Sequence, residues 1–132
     1  MKIFGIANFV EGKTALIEQL ISLLRAQGLK VAVLKQTHAS FDMDKPGKDS
    51  WRHRAVGARE VMVVSPQRWV LMHELRQEKA ASLTELIARL SPCDVVLLEG
   101  FDSSSLPQIN LNDALPSLHA FVLATLAGEA SL

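Results

Sequence analysis

The segment from Met1 to Lys35 constrains the fold most. An apolar run, Lys2-Ile3-Phe4-Gly5-Ile6-Ala7, leads into a turn through Gly12-Lys13-Thr14. The run is short and apolar throughout, as a buried strand is. From Thr14 to Gln27, Leu16, Ile17, Leu20, Ile21 and Leu24 recur at three- and four-residue spacing, giving one wide apolar helix face. Arg25 falls in the last turn, where a cation suits the helix dipole, and Gly28 suits the left-handed position beyond the helix. Lys30 to Lys35, with Val31, Val33 and Leu34, predicts a second strand. Strand, turn, helix and strand in this order make the βαβ unit of a parallel sheet.

The rest of the chain continues the alternation. Residues 36–50 are polar and turn-rich, a length that in a compact domain marks a functional or mobile loop. Ser50 to Ala58 reads as a short helix and Val61-Met62-Val63-Val64 as a third strand. Ser65 to Arg68 is a turn, and Trp69 to Met72 a strand returning from it, with a helix as the alternative. Ser82-Leu83-Thr84-Glu85 is a capping box. The helix it opens is expected to reach about Leu90 and to bury Leu83, Leu86, Ile87 and Leu90. Asp94 to Gly100 is apolar through its middle, as a central parallel strand is. A short strand is expected at Gln108 to Leu111 and a last one at His119 to Thr125. No repeat or linker interrupts the 132 residues, so one domain, 1–132, is expected.

Composition limits the partners. Lys and Arg total 14, and so do Asp and Glu, which gives no overall pull toward nucleic acid or an anionic membrane. No run approaches the length of a membrane span or reads as a signal peptide, so a cytoplasmic protein is expected. A single cysteine, Cys93, makes neither a disulfide nor a cysteine-rich zinc site within the chain, and its apolar surroundings predict a buried structural thiol. The four histidines have no metal-ligand spacing, although His38 follows the second strand and could face a site there. Trp51 and Trp69 read as packing anchors.

Gly12-Lys13-Thr14 has the context of a phosphate-binding P-loop, with a strand before it and a helix starting on it. There, backbone N–H groups and the helix N-terminus favour phosphate charge. Lys13 would reach the β- and γ-phosphates, and the Thr14 hydroxyl would hold Mg2+. The glycine that the pattern G-x-x-x-x-G-K-[ST] places five positions before Gly12 is replaced by Ala7. Asn8, beside it, tolerates left-handed backbone, but using it makes the loop one residue short. The Glu11 carboxylate would lie near the phosphates and repel them. Glu99 and Gly100 close the apolar strand at the end where ligands gather in parallel sheets. A carboxylate there can hold Mg2+ through water or polarise an attacking water, so Glu99 is the catalytic and metal candidate. Between Asp42 and Arg54, charges of both signs surround a Pro-Gly turn. Composition alone favours a solvated loop there, with phosphate binding by its cations as the alternative.

Several segments together resemble the molybdopterin-guanine dinucleotide biosynthesis protein B family, MobB. They are Lys2 to Ala7, Gly12-Lys13-Thr14, Leu16-Ile17-Glu18, Phe41 to Ser50, Arg68-Trp69, Leu71 to Leu75 and Leu98-Glu99-Gly100-Phe101. The stretch Asp42-Met43-Asp44-Lys45-Pro46-Gly47-Lys48-Asp49-Ser50 is the most specific of these. The resemblance covers residues 1–101 well and the remainder loosely. It implies an α/β fold of the P-loop NTPase type, three-layered, with a mostly parallel sheet and helices on both faces. It also implies a GTP-binding, homodimeric accessory protein of molybdenum cofactor biosynthesis. Such a protein assists the MobA-type guanylyltransferase that joins GMP to molybdopterin, with weak GTPase activity of its own. The implied cofactor-binding residues are Glu11, Gly12, Lys13, Thr14 and Ala15, with Asp42, Asp44, Lys45 and Lys48 at the γ-phosphate or the molybdopterin phosphate. Thr14 and Glu99 are the implied Mg2+ residues. No Asn-Lys-x-Asp guanine signature is present, so GTP rests on the resemblance.

The chain departs from the family pattern on the ligand side. Val10 replaces a glycine, only His38 remains of a histidine-rich stretch, Asp102 stands where lysine is common, and the threonine at 125 lacks a following aspartate. The stretch from Asp102 to Pro116 is also shorter. These changes support an alternative of another class, a non-catalytic adaptor or dimerisation module that keeps the fold without nucleotide turnover. An unrelated small kinase is disfavoured, because no lid or acceptor-binding segment is evident.

Overall fold

A computed structural model describes residues 1–8, 12–37, 49–75 and 78–130, the side chains at 49–51, 129 and 130 excepted. They fall into two compact units, one from residues 1–37 and 88–130 and the other from 49–75 and 78–87.

The first unit is built on four parallel strands, β1 (Lys2–Ala7), β2 (Val31–Lys35), β5 (Val95–Glu99) and β6 (Gln108–Asn110), in the order β2-β5-β1-β6. Lys2 to Gly5 face Val95 to Leu98, and Val31 to Lys35 face Val95 to Glu99. Gly5 to Ala7 face Gln108 to Asn110. The expectation of a central parallel strand at 94–100 is met, since β5 has a neighbour on each side. Side chains alternate between the faces of a strand. Phe4, Val95, Leu97 and Ile109 point into a core completed by Leu20 and Leu24 of α1 (Thr14–Ala26) and Leu118 and Val122 of α4 (Leu115–Ala130). Val96 and Leu98, on the opposite face, are buried as well, so β5 has to be apolar at every position. Each such side chain stabilises the fold by about 1.5–3 kcal/mol. α1 ends as its sequence predicts. Gly28 takes a positive φ of 82°, its N–H donates to the Arg25 carbonyl, and the Leu29 N–H donates to that of Leu24.

The expected strand at His119 to Thr125 is instead part of α4. Leu115, Leu118, Val122 and Leu126 recur at helical spacing and pack into the core. Ala120, Phe121, Leu123 and Ala124 fill the rest of the circumference with apolar residues and hide that period. Pro116, in the first turn, starts a helix well because its missing N–H has no intrahelical partner there. His119 places Nε2 2.8 Å from the Gln27 side-chain oxygen. Cys93 is half-buried, with Sγ 3.6 Å from the Met1 sulfur.

In the second unit, β3 (Glu60–Val64) and β4 (Trp69–His73) form the expected antiparallel hairpin, closed by the Ser65 to Arg68 turn. α2 spans Asp49–Ala55 and stops short of Ala58. Gly57, at a φ of 119°, turns the chain, and the Ala58 N–H donates to the His53 carbonyl. α3 (Leu83–Ala88) starts at Ser82, whose hydroxyl accepts from the Glu85 N–H at 3.2 Å. It ends two residues before Leu90, because Pro92 has no N–H to offer the Ala88 carbonyl and its ring crowds that oxygen. The stripe Leu83, Leu86, Ile87 and Leu90 is half-buried rather than buried. Trp69 is not a packing anchor either. It is 62% exposed, with Met62, Val64 and Leu71 exposed around it.

Candidate nucleotide site

The strand order itself marks a crevice. From β1 the chain passes through α1 to β2, beyond β5, and from β5 it passes to β6, beyond β1. Connections thus leave the adjacent carboxyl ends of β1 and β5 in opposite directions, which is where open parallel sheets bind ligands. The turn before α1 leaves one of these ends, and Glu99-Gly100 forms the other.

At the end of β1, Asn8 takes the left-handed conformation that asparagine tolerates, with φ 61°. Gly12 takes φ 94°. Lys13 is the N-cap of α1 and makes no side-chain capping bond. Leu16 and Ile17 N–H groups donate to the Lys13 carbonyl, which starts the helix. No acidic residue lies in the first turn of α1. The partial positive charge of that end is therefore not offset by a carboxylate of the helix itself, which leaves it suited to an anion. Lys13 is half-buried, whereas Gly12, Thr14 and Ala15 are exposed.

Glu99 has a side chain only 15% exposed, and the ammonium of Lys35, its register partner on β2, lies 4.0 Å from its Oε1. Lys35 is itself 66% exposed, so the pair is a weak contact at the surface. Gly100 has to be glycine. It sits at φ 85°, and a β-carbon would approach the Gln36 carbonyl oxygen to 2.7 Å. The Gln36 N–H donates to the Glu99 carbonyl, so the two strand ends turn away together. The Thr14 hydroxyl and the Glu99 carboxylate are hard oxygen donors of the kind Mg2+ takes, and they fit that ion by chemistry.

The structure thus places Gly12, Lys13, Thr14, Ala15 and Glu99 on the two connections that define the crevice. The candidates Glu11, Asp42, Asp44, Lys45 and Lys48, and with them Val10 and His38, lie outside the described residues. Among the described residues no group of three histidine, cysteine, aspartate or glutamate side chains could hold a metal ion. His73 is flanked instead by two carboxylates, Glu60 at 2.8 Å and Glu78 at 3.3 Å. No helix of the described residues is long and apolar enough to cross a membrane. Sequence reasoning missed Asn110, whose Oδ1 accepts from Asn8 Nδ2 at 2.6 Å and from the Asn112 N–H at 3.0 Å. The signal was local, since Asn-Leu-Asn-Asp after a short strand favours a side-chain-to-backbone turn. Its partner, 102 residues away, was not legible.

Residues 2–123 match the family described as molybdopterin guanine dinucleotide synthesis protein B. The chain belongs to the MobB family. A molybdopterin-guanine dinucleotide biosynthesis adapter protein of Escherichia coli is 42% identical over 102 residues, covering 76% of this chain and 58% of the relative. The protein of the same name from Haemophilus influenzae is 36% identical over 130 residues, covering 92% of this chain and 72% of the relative. The matched region therefore spans little more than half the length of the E. coli relative. Among solved structures, a molybdopterin-guanine biosynthesis protein B has the same fold at a TM-score of 0.69 and 22% identity, over 95% of this chain and 99% of that one. Bacillus subtilis MobB matches at 0.66 and 26% identity, over 91% and 73%. The mostly parallel sheet flanked by helices is that of a P-loop NTPase-type fold.

Proposed function

We propose that the chain is a GTP-binding accessory protein of molybdenum cofactor biosynthesis, acting in the cytoplasm beside the MobA-type guanylyltransferase that forms molybdopterin guanine dinucleotide. The observation that carries this reading is the uncapped start of α1 at the sheet's crevice, with Lys13 as its N-cap and no carboxylate in its first turn. The names of the MobB relatives support the pathway. In this reading, Glu11 to Ala15 wrap the phosphates and Lys13 neutralises their charge. Thr14 and Glu99 hold Mg2+, which would offset charge on the β- and γ-oxygens. Glu99 is also the residue to orient a water, with GTP hydrolysis weak at most. Asp42, Asp44, Lys45 and Lys48 meet either the γ-phosphate or the phosphate of molybdopterin. Residues 1–132 act as one domain of a homodimer. The hairpin supports self-association, because Met62 pairs with Leu71 and Val64 with Trp69 across the strands, and all four are exposed.

The printed name of the relatives, adapter protein, favours a second reading in which the fold and the dimer surface are kept and turnover is not. Calorimetric titration of the folded chain with GTP and Mg2+ tests the first reading, with Lys13→Ala as control. Saturable heat that Lys13→Ala removes is expected, and absence of heat at saturating nucleotide refutes it. Hydrolysis lost in Lys13→Ala excludes the second reading.

A further inference from the structure

Asn8, the residue that follows β1, is held from outside its own segment. Asn8 lies in the left-handed region, at φ 61°, a conformation uncommon outside glycine that asparagine adopts more readily than most residues. Its side-chain amide donates to Asn110 Oδ1 at 2.6 Å. The same oxygen accepts the Asn112 N–H at 3.0 Å, so the Asn110 side chain is fixed by its own turn before it meets Asn8. The backbone adds a second tie, in which the Leu111 N–H donates to the Ala7 carbonyl at 3.0 Å. The Asn110 carbonyl accepts the Asp113 N–H at 2.9 Å, which closes the turn behind it. Ala7 and Asn110 are register partners at the carboxyl ends of β1 and β6. Asn110, at the end of β6, thus grips Asn8 through its side chain, and Leu111, the next residue, holds Ala7, the last residue of β1, through the backbone.

We infer that Asn110 is a positioning residue for the phosphate-binding turn. It holds Asn8 left-handed at the point where the backbone leaves β1. Asn110 itself touches no ligand in this account, and it acts through Asn8. A glycine at position 8 would adopt the same conformation unaided, and asparagine with a partner on β6 replaces that freedom by a hydrogen bond. The inference rests on the nucleotide reading above and adds a residue that sequence motifs do not mark.

The test is a double-mutant cycle on the full chain, with Asn110→Ala, Asn8→Gly and the double variant titrated with GTP and Mg2+ by calorimetry. Urea unfolding of each variant runs alongside. Asn110→Ala is expected to weaken binding about tenfold, the scale of one lost hydrogen bond. In the Asn8→Gly background the same change should weaken binding less than about threefold, because the clamp is already gone. A merely structural role would lower the urea midpoint and leave this coupling at zero. Equal effects of Asn110→Ala in the two backgrounds, or wild-type affinity in a folded Asn110→Ala, overturn the inference and leave the nucleotide reading standing. Should Asn110→Ala not fold, Asn8→Ala removes the amide donor together with asparagine's tolerance of the left-handed region, and wild-type affinity there overturns the inference equally. Absence of binding by the wild type overturns both.

Discussion

Gly5 sits in the middle of β1, two residues before its carboxyl end, and it is buried. Alanine in a strand interior ordinarily stabilises by roughly 0.5–1 kcal/mol relative to glycine, because less backbone freedom is lost on folding. Here the sign is reversed by what lies over the Cα. A β-carbon would stand 1.9 Å from Ser103 Oγ, 2.6 Å from Gln108 Nε2 and 2.8 Å from Ser103 Cβ. Ordinary contact requires about 3.5 Å, so the serine has to retreat by roughly 1.5 Å. It cannot do so freely. Ser103 is 7% exposed, and Gln108 Nε2 donates both to its carbonyl and, at 3.4 Å, to its hydroxyl. Overpacking contributes about 1–3 kcal/mol of destabilisation, and each broken buried bond about 1 kcal/mol more. Less the intrinsic gain, Gly5→Ala should lower stability by about 2–3 kcal/mol. With a slope near 1.5 kcal/mol per molar, that moves the urea midpoint down by roughly 1.5–2 M at unchanged slope. Removing the obstructing side chain in Gly5→Ala/Ser103→Gly should recover a large part of the loss. A midpoint for Gly5→Ala at or above wild type refutes the reasoning. Failure of the double variant to recover stability shows that the clash is not the cause.

Three further outcomes are checkable. Arg54, in the last turn of α2, donates to Glu74 Oε1 at 2.7 Å with a side chain only 13% exposed, so Arg54→Ala should destabilise by about 1.5–3 kcal/mol in urea unfolding, the scale of a hydrogen bond to a charged group. Glu74→Gln, which keeps an acceptor, should do less harm. His73 has its pKa raised above 6.5 by the hydrogen bond to Glu60 and then by that to Glu78. A raised folded-state value contributes stability that is fully present below about 6.5 and is lost as pH rises through the folded value. The difference in urea midpoint between wild type and His73→Gln should therefore be larger at pH 5.5 than at pH 8.5, and a difference independent of pH contradicts the assignment. If the exposed hairpin face carries the homodimer, Trp69→Lys should turn a dimer into a monomer by light scattering while the far-ultraviolet circular dichroism of the fold is kept.

The sequence made the βαβ unit legible because each element carried its own period. α1 showed its face at three- and four-residue spacing, and β5 showed burial on both sides by having no polar residue between Val95 and Leu98. α4 failed that test for the opposite reason. A helix apolar around its whole circumference has no phase, and a β-branched residue at 122 and an aromatic one at 121 then read as strand. Strand neighbours were not legible either. Periodicity states which face is buried, not that β5 lies between β2 and β1, and the switch point depends on that order.

The site divides along the same line. Gly12-Lys13-Thr14 was legible because its mechanism is local, a turn followed at once by a helix start. Glu99 was legible because strand ends are. Asn110 was not, because its meaning lies in a hydrogen bond to a residue near the other end of the chain. That asymmetry bears on how the departures from the family pattern should be read. Ala7 stands where the P-loop pattern calls for glycine, and one position later Asn8 is left-handed and hydrogen-bonded to Asn110 of β6. A left-handed Asn8 weakens the case that the departure at Ala7 by itself signals loss of binding. The weight of the adaptor reading then falls on Val10, Glu11 and Asp102. On that reading a carboxylate at 11 would act on phosphate by repulsion. Glu11→Gln should therefore tighten GTP binding if the turn binds at all, and unchanged affinity in that variant would remove charge repulsion from the argument.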